Sequence, residues 1–481
     1  MAEQQRQASG GWLNFLGSYP ADRPVGDRPV HFVGIAGSGQ NPLARLVVDS
    51  GHAVTGSDLK GLDESTRELV RRGGRVFVGH RAEQVEGAGL LVISSAVQPD
   101  NPEVVRAAEL GIPVVKRSEF IGELTRHRQA VCIAGTHGKT TTSAMVGLCL
   151  LESGLDPTLL VGGSVPALGT GGRYGRGPHL VVEADEFDGT FLRFRPWLAL
   201  LTNVEPDHLD YYGTFENVVG AFRKFLGNVP ADGHIVACAD DPTTRQIVGE
   251  LGRPAVTYAL DADADWHAAE IERNDIGGHD FTAYRNGERF GRFALGVPGR
   301  HNVLNALGAV AAADLCGASA EAIGRALERF AGVKRRFDLK GTVRGIKVYD
   351  DYAHHPTEIV MALRIARERH DGRVVAVHQP FTIHRTRVLF DEFARAFGDA
   401  DKVYITDIMI PPGREPNVVV DITSADLVRA MRHPDAIASG TLEQTVERLL
   451  KDLRPGDLVM TMGCGNVNWV ADQLVARLGQ H

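Results

Sequence analysis

Cysteine is scarce in this sequence. The 481 residues contain five cysteines, an odd number, and most of them stand among apolar neighbours. This usage argues against a disulfide framework and against a structural zinc site, and it is typical of a reducing compartment. We therefore expect a cytoplasmic protein.

Long apolar runs and tracts of basic residues are also missing. No apolar stretch approaches the roughly 20 residues that span a bilayer, so we expect no membrane partner. Residues 1–29 are polar except for a short run at 12–16 and lack the apolar core of a signal peptide, which predicts a flexible lead-in. A formal net charge of −8 without a basic tract argues against nucleic acid as a partner.

The composition is that of a globular protein whose length is too great for one hydrophobic core. Hydrophobic residues make up 43% of the chain and charged residues 23%. The length predicts about three domains. Strand-like apolar runs alternate with helical patterns, which indicates an α/β fold built on parallel sheets. We expect Rossmann-like domains at 30–120 and 332–481, and between them, at 121–331, a P-loop ATPase-like domain whose mixed sheet is accompanied by a small antiparallel sheet.

The stretch most directly tied to chemistry is 131–143. An apolar run that predicts a buried strand breaks at Gly135-Thr-His-Gly-Lys-Thr-Thr141, and a helical pattern follows. The glycines let backbone N–H groups crowd around a phosphate, Lys139 would neutralise the β and γ phosphates, and the Thr140 hydroxyl is placed to ligate Mg²⁺. The usual P-loop has a glycine where Ile133 stands, so the match is to a shortened form. The alternative is a glycine turn with a solvated lysine.

Acidic residues follow two further predicted strands. The strand at 179–182 ends in Glu183-Ala-Asp-Glu186, and the strand at 197–203 is followed by Val204-Glu-Pro-Asp-His208. If both strands share one parallel sheet with the strand before Gly135–Thr141, here called the phosphate loop, their carboxyl ends meet at the same edge. Glu183 and His208 could then help to hold magnesium; the alternatives are a solvated loop and a structural histidine.

A second glycine loop follows the strand at 30–34. It reads Gly34-Ile-Ala-Gly37-Ser38-Gly39, and Asp58 stands about 20 residues further on. This is the pattern of a dinucleotide-type fingerprint, in which glycines approach a pyrophosphate and the acid accepts from a ribose hydroxyl or a base. Ala36 stands where the second glycine is usual, so a purely structural turn is the alternative. Ser94 follows a later strand, at the edge where such sheets bind ligands.

Two further patterns lie near the end of the central domain. Alternating residues over 265–297 around Asn286-Gly287 predict hairpins. A helix opening near Gly299 places His301 and Asn305 four residues apart on one face, where they could form a surface patch or read an adenine edge.

The last domain opens with a basic cluster. Arg335-Arg336 could close onto a γ-phosphate or belong to a solvated linker. A strand at 346–349 then ends in Asp350-Asp-Tyr-Ala-His-His-Pro356, a set of polar groups that packing does not explain. We expect Thr357 to cap the helix that follows, which runs to Arg369.

These motifs, in this order, resemble those of the muramyl ligases. The matching segments are Gly135–Thr141, Glu183–Glu186, Asn203–Asp210, Gly299–Ala306, Arg335–Phe337 and Asp350–Pro356. The resemblance runs from about His31 to near the C-terminus. It implies an ATP- and Mg²⁺-dependent amide ligase that joins L-alanine to UDP-N-acetylmuramate through an acyl phosphate, in peptidoglycan precursor synthesis and hence in cell wall biogenesis, cell shape and cell division. The alternatives are the same chemistry on another acceptor or amino acid, and a scaffold that binds ATP without turnover.

The resemblance also implies residue roles, in a monomer or a homodimer. Arg336 would meet the γ-phosphate and Asp351 the ribose, and Lys139, Glu183, His208 and Arg336 would be catalytic. The residues implied for ATP are Gly135, Thr136, His137, Gly138, Lys139, Thr140, Thr141, His301, Asn305, Arg336 and Asp351. Those implied for Mg²⁺ are Thr140, Glu183 and His208. Those implied for the UDP-sugar are Gly37, Ser38, Gly39, Asp58 and Ser94, and those for the amino acid are Tyr352, His354 and Arg385.

One stretch departs from the family pattern. The alanine-adding members usually carry Gln-Pro-His-Arg-Tyr-Thr-Arg-Thr, whereas residues 379–386 read Gln-Pro-Phe-Thr-Ile-His-Arg-Thr. Arg385 is kept, but Phe381-Thr382 removes an expected cation near the substrate carboxylates, which His384 could partly replace. The amino acid and the acceptor therefore stay open at this stage.

Overall fold

The computed structural model describes residues 28–37, 39–411, 415 and 418–479. The lead-in expected at 1–29 lies almost wholly outside these residues, as does Ser38. The chain forms two compact units. The first consists of the chain up to Glu205 with Glu216–Gly296 and Asn302–Ala331, and the second of Pro206–Phe215, Val297–His301 and the chain from Gly332 onward. The domain boundaries near 120 and 331 stay predictions.

The N-terminal sheet is parallel and Rossmann-like, as the sequence predicts. Its strands are β1 (Val30–Val33), β2 (Val54–Asp58), β3 (Arg75–Val78), β4 (Leu90–Ile93) and β5 (Val114–Lys116). Its helices are α1 (Gln40–Asp49), α2 (Glu64–Arg71), α3 (Pro102–Glu109) and α4 (Arg117–Leu124), with a 3₁₀ turn at Ala82–Val85. The order β3-β2-β1-β4-β5 puts the topological switch beside β1, where the glycine loop begins.

The central sheet is mixed. Its strands are β6 (Gln129–Ala134), β7 (Thr158–Val165), β8 (Thr170–Arg173), β9 (His179–Glu183), β10 (Leu198–Leu201), β11 (His234–Cys238), β12 (Val256–Ala259), β13 (Trp266–Arg273), β14 (His279–Arg285) and β15 (Glu288–Leu295). The helices of this part of the chain are α5 (Lys139–Glu152), α6 (Leu209–Tyr212), α7 (Phe215–Gly227), α8 (Pro242–Glu250), α9 (Arg300–Leu315) and α10 (Ala320–Arg329), with 3₁₀ turns at Pro166–Leu168 and Phe187–Arg193. The strand order is β15-β14-β13-β12-β11-β10-β6-β9-β7-β8.

The predicted antiparallel strands form and extend this central sheet. β14 pairs antiparallel with both β13 and β15, and the turn at Asn286 and Gly287 has φ angles of 51° and 80°. Such angles suit the Asn-Gly pair of a tight hairpin. Tyr258 of β12 pairs in parallel with Trp266 of β13, so the hairpins are continuous with the parallel part of the sheet.

The C-terminal sheet is parallel except at one edge. Its strands are β16 (Asp338–Val343), β17 (Ile346–Asp351), β18 (Val374–His378), β19 (Lys402–Thr406), β20 (Ala436–Gly440) and β21 (Leu458–Met462), in the order β16-β17-β21-β18-β19-β20. Its helices are α11 (Pro356–Arg369), α12 (Ile383–Val388), α13 (Phe390–Arg395), α14 (Ser424–Ala430), α15 (Leu442–Asp452) and α16 (Asn468–Gly479). The edge strand β16 pairs antiparallel with β17.

The expected capping of α11 is wrong. The helix begins at Pro356, and the residue before it, His355, is the N-cap, with Thr357 N donating to its Nδ1 at 3.3 Å. Proline suits the first helical position because no N–H is needed there. A threonine just after a proline therefore falls inside the first turn of this helix.

The cores explain why the central strands read as unbroken apolar runs. All four residues of β10 are buried, and so are Ala130–Ala134 of β6, its neighbour. Parallel strands with helices on both faces have no solvent side and so show no alternation. None of the described helices is both long and apolar enough to cross a lipid bilayer.

Candidate active site

The phosphate loop lies at the carboxyl end of β6, between its neighbours β9 and β10. Gly135 has a φ of 135° and Gly138 a φ of 81°, which are conformations that favour glycine. A Cβ atom at Gly138 would also lie 2.5 Å from Oδ1 of Asn305. Glycine is therefore required at both positions.

The loop is held by the residues that follow β10. Asn203 accepts from the loop through two atoms, with Thr136 N 2.9 Å from its backbone oxygen and His137 N 2.8 Å from Oδ1. The Thr202 hydroxyl donates to His137 O at 2.6 Å. These bonds satisfy the inner side of the loop, so its shape does not depend on a ligand. The expected adjacency of the loop to the strand that ends in Glu183 is confirmed, because β9 pairs in parallel with β6.

The side chain of Lys139 turns back into this loop. Nζ donates to Gly135 O at 2.6 Å, to Thr136 O at 3.1 Å and to Glu186 Oε2 at 2.8 Å. Burial lowers the pKa of Lys139, but the carboxylates of Glu186 and Asp185 raise it more, so the net shift is upward. A charged ammonium group therefore lies beside the phosphate loop.

Glu186 was not singled out from the sequence. Its carboxylate is 2% exposed and forms the ion pair with Lys139. Burial raises the pKa of Glu186, although Lys139 acts in the opposite direction. The signal in the sequence was the last acid of Glu183-Ala-Asp-Glu186, but the pattern does not show which of the three carboxylates turns toward the lysine.

Thr140 and Glu183 meet as expected for two ligands of one cation. The Thr140 hydroxyl donates to Glu183 Oε1 at 2.8 Å, and Gly162 N donates to Glu183 Oε2 at 2.7 Å. A Cβ atom at Gly162 would lie 2.5 Å from that second oxygen, so the carboxylate is seated in a place that only glycine leaves open. A hydroxyl and a carboxylate are hard oxygen donors of the kind Mg²⁺ prefers.

Asn305 lies against the phosphate loop. It is 8% exposed, stands on α9, and its Oδ1 faces Gly138 as described above. Its Nδ2 lies 3.3 Å from Asn302 Oδ1. His301, one turn earlier on α9, belongs to the second unit. The predicted contact of these two residues with an adenine stays a prediction.

Arg385 and Asp207 form a buried ion pair in the second unit. Nη2 and Nε of Arg385 donate to Asp207 Oδ1 at 2.8 and 3.1 Å, and each side chain is 8% exposed. Burial raises the pKa of Asp207, but Arg385 and His208 lower it more, so the pKa lies well below its ordinary value. His208 follows in the left-handed region, with a φ of 52°. The metal role of His208 and the amino-acid role of Arg385 stay predictions.

Three other predicted residues gather around Glu358, which the sequence did not suggest. Glu358 Oε1 accepts from Arg336 Nη1 at 3.2 Å, and its Oε2 lies 3.2 Å from His354 Nδ1. The Arg336 guanidinium lies 5.2 Å from the centre of the Tyr352 ring, within cation–π range. The structure thus brings Arg336, Tyr352 and His354 together.

Asp351 is buried, and its carboxylate organises the backbone. Oδ2 accepts from Phe337 N at 2.7 Å and Oδ1 from Ala353 N at 2.8 Å. Burial raises the pKa of Asp351 to about 6, although Arg336 lowers it. The carboxylate ties the start of the last domain to the end of β17, and its contact with a ribose stays a prediction.

The glycine loop of the N-terminal domain is closed by Asp58. Oδ2 of Asp58 accepts from Ala36 N and Oδ1 from Lys60 N, both at 2.9 Å. Gly37 and Gly39 stand in this loop, and Ser94 directly follows β4 on the same sheet edge. The expected partners for a UDP-sugar that the structure describes are thus grouped at one edge, and their binding role stays a prediction.

Three consecutive parts of the chain match models of one protein family. The Mur ligase family catalytic domain matches residues 29–129, the Mur ligase middle domain 133–313, and the glutamate ligase domain of the Mur ligases 335–465.

Individual relatives match over nearly their whole length. The UDP-N-acetylmuramate–L-alanine ligase of Sorangium cellulosum is 44% identical over 457 residues, which is 94% of this chain and 96% of that protein. The enzyme of the same name from Pelotomaculum thermopropionicum is 42% identical over 460 residues, 94% of this chain and 98% of that protein. The crystal structure of the UDP-N-acetylmuramate-alanine ligase of Thermotoga maritima matches with a TM-score of 0.76 and 29% identity, over 93% of this chain and 98% of that one.

We expect Arg385→Ala to destabilise the protein more than Arg385→Ala combined with Asp207→Ala. The single change leaves the Asp207 carboxylate buried without its cation, at a cost on the order of 3–5 kcal/mol, whereas the double change removes the stranded charge as well. Urea denaturation of Arg385→Ala, Asp207→Ala, the double variant and the unchanged protein gives the coupling. Equal losses in the single and double variants would contradict a buried, mutually dependent pair.

We also expect Asp351→Asn to remove a pH-dependent loss of stability. Because the pKa of Asp351 is raised to about 6, the folded protein binds this proton more tightly than the unfolded chain, and stability falls as pH rises from about 4 to about 6. The loss is on the order of 2–3 kcal/mol and is absent in the variant. Calorimetric Tm values across this range measure it. A Tm difference between the two proteins that does not change with pH rejects this reading.

Proposed function

This chain belongs to the Mur ligase family, and we propose that it is the ATP-dependent ligase that joins L-alanine to UDP-N-acetylmuramate. The observation that carries the proposal is the phosphate loop, in which a charged Lys139 stands beside the contact between Thr140 and Glu183. The reaction belongs to peptidoglycan precursor synthesis, and through it to cell wall biogenesis, cell shape and cell division.

The proposed reaction has two chemical steps. A carboxylate oxygen of the acceptor attacks the γ-phosphorus of ATP, ADP leaves, and an acyl phosphate forms. The amine nitrogen of L-alanine then attacks the acyl carbon, inorganic phosphate leaves, and a proton is lost from the nitrogen as the amide forms. Activation is needed because a carboxylate is a poor electrophile.

The chain supplies mainly charge and position to the first step. Lys139 offsets the negative charge on the β and γ phosphoryl oxygens as the phosphoryl group moves. Because Lys139 is already held by Glu186 and by two loop carbonyls, its ammonium needs little reorganisation when phosphate enters. Arg336, positioned by Glu358, would add a second cation for the γ-phosphate.

We propose Mg²⁺ as the metal of this site. Thr140 and Glu183 would hold one ion and His208 a second. When bound, the metal neutralises phosphate charge and orients the phosphates for in-line transfer. The donor set fits, since the Thr140 hydroxyl already meets a Glu183 oxygen at 2.8 Å.

The remaining substrates would bind outside the phosphate loop. The proposal assigns the UDP part of the acceptor to Gly37, Ser38, Gly39, Asp58 and Ser94, and the amino acid to Tyr352, His354 and Arg385. ATP would contact Gly135, Thr136, His137, Gly138, Thr141, His301, Asn305 and Asp351 in addition to the charged groups above. We further propose a cytoplasmic monomer or homodimer that acts on small molecules and not on nucleic acid or membranes.

One observation favours a second candidate, a ligase with the same chemistry but another amine or acceptor. The family cation expected at position 382 is absent, and Thr382 is instead the N-cap of α12, with a φ of 65° and a hydroxyl that accepts from Arg385 N. The guanidinium of Arg385 is bound to Asp207. The groups left near this helix for a substrate carboxylate thus differ from the usual set.

The two candidates separate in an amino-acid panel. With ATP, Mg²⁺ and UDP-N-acetylmuramate, we expect phosphate release to respond to L-alanine more strongly than to glycine, L-serine or D-glutamate. Lys139→Ala should reduce that release by at least about 100-fold because charge at the transferring phosphoryl group is lost, whereas Lys451→Ala, on an exposed helix face, should not. A response to another amine but not to L-alanine would favour the second candidate, and activity retained in Lys139→Ala would exclude both.

Metal binding can be tested without turnover. We expect Mg²⁺ to tighten ADP binding to the unchanged protein and to do so much less in Glu183→Gln, because a neutral amide is a poorer ligand than a carboxylate. Titration calorimetry with and without Mg²⁺ measures this difference, with Glu250→Gln, an exposed glutamate paired with Arg223, as the control. The same Mg²⁺ effect in Glu183→Gln and Glu250→Gln would remove Glu183 from the metal site.

A further inference from the structure

Arg117 lies across the glycine loop of the N-terminal domain. It is the first residue of α4, directly after β5, so it stands at the carboxyl edge of the sheet, where the loop also lies. A Cβ atom built on Gly39 would be 2.7 Å from Nη1 of Arg117, 2.9 Å from Cζ and 3.2 Å from Nε. The guanidinium therefore lies close against Gly39, in space that the Cβ atom of a larger residue would enter.

The guanidinium has no counter-charge in the part of the chain that the structure describes. No hydrogen bond or ion pair joins the Arg117 guanidinium to any residue of 28–37, 39–411, 415 or 418–479. Two other half-buried arginines do have such a partner: Arg373 pairs with Asp457 at 2.7 Å, and Arg335 with Asp350 at 2.9 Å. A half-buried arginine without a carboxylate has a positive charge that a ligand can use.

The position of this charge is set by packing and not by the guanidinium itself. Lys116 N donates to Glu119 Oε2 at 2.9 Å, which closes the first turn of α4. Phe120, fully buried, packs edge-on against Phe32 of β1 with ring centres 6.3 Å apart. These contacts hold α4 against β1, the strand that precedes the glycine loop. The side chain of Arg117 extends over that loop.

We propose that Arg117 binds the diphosphate of the UDP-sugar acceptor. This inference rests on the proposed function, which assigns the UDP part to this loop. Arginine matches phosphate oxygens in a two-pronged geometry, and the glycine at position 39 lets the guanidinium approach the loop backbone closely. Arg117 supplies a cation, which the sequence motif of glycines and Asp58 lacks. The Asp58 carboxylate is negatively charged and accepts from Ala36 N and Lys60 N.

The proposal predicts that Arg117 contributes to the binding of the diphosphate and not to the binding of the base. Isothermal titration of the full chain with UDP and with uridine, in the absence of ATP, compares ligands that differ only in the phosphates. We expect Arg117→Ala to weaken UDP binding about 10- to 100-fold and to change uridine binding by less than about twofold. Arg117→Lys should fall between, because a lysine keeps the charge but not the fork.

A second variant tests the same contact from the other side. Gly39 has φ −90° and ψ −30°, which alanine adopts without strain, so Gly39→Ala should displace the guanidinium while leaving the loop backbone and the charge in place. UDP binding should weaken several-fold. Arg71→Ala, which removes an arginine that is 57% exposed on α2, is the matched control and should leave UDP binding unchanged.

The results decide between clear alternatives. UDP affinity within about twofold of the unchanged protein in Arg117→Ala and Gly39→Ala overturns the proposal, and so does an equal loss of uridine binding. If Arg117→Ala does not fold, as judged by circular dichroism, Gly39→Ala and Arg117→Lys decide alone. Acceptor-dependent phosphate release by the unchanged protein is measured separately, so unchanged UDP affinity alongside normal release rejects only the role of Arg117. If Arg117→Ala loses UDP affinity and the unchanged protein releases no phosphate, the proposed ligase function is rejected, and Arg117 still belongs to a nucleotide-binding site.

Discussion

The parallel register of β9, β6 and β10 is the constraint on which the central site depends. Glu183 pairs with Ile133, and Leu201 with Ala134, so all three strands end at the same level. The acids after β9, the phosphate loop after β6 and the amide of Asn203 after β10 are therefore neighbours in space. A shift of one residue in the pairing of β6 with β9 would turn alternate side chains of β9 to the opposite face and separate Thr140 from Glu183.

Several buried carboxylates in the part of the chain that the structure describes are each matched by a cation. Lys139 with Glu186, Arg385 with Asp207 and Arg335 with Asp350 each place a cation on a carboxylate that is less than one-tenth exposed. Such pairs cost desolvation and are weak evidence for stability, but they hold side chains in one geometry. Lys139 is held at the phosphate loop by Glu186, and Arg385 is held by Asp207. Arg117 is the contrast, since its charge is placed without a partner among the described residues.

Helix α4 gives the N-terminal and central parts of the first unit a common element. Its first turn carries Arg117 over the glycine loop, and its last residues meet the segment that follows Glu186. A Cβ atom at Gly122 would lie 3.0 Å from Arg193 O, and Arg195 N donates to the Thr125 hydroxyl at 2.9 Å. The glycine loop proposed for the acceptor and the segment after the acids proposed for the metal thus both contact one helix, which suits a reaction in which an acceptor carboxylate must meet a γ-phosphate.

The sequence by itself determined the elements whose signals are local. Apolar runs of parallel strands, the glycines at 135 and 138, the Asn-Gly turn and the order of the family motifs all act through neighbours in the chain, so the α/β class and the phosphate loop follow from it. The tertiary structure alone decided which carboxylate binds Lys139, that Arg385 is bound to Asp207, and that Arg117 lies on Gly39. These contacts join residues far apart in sequence, 47, 178 and 78 positions in turn. Only the packing of strands and helices brings such residues within reach, and no local pattern carries that information.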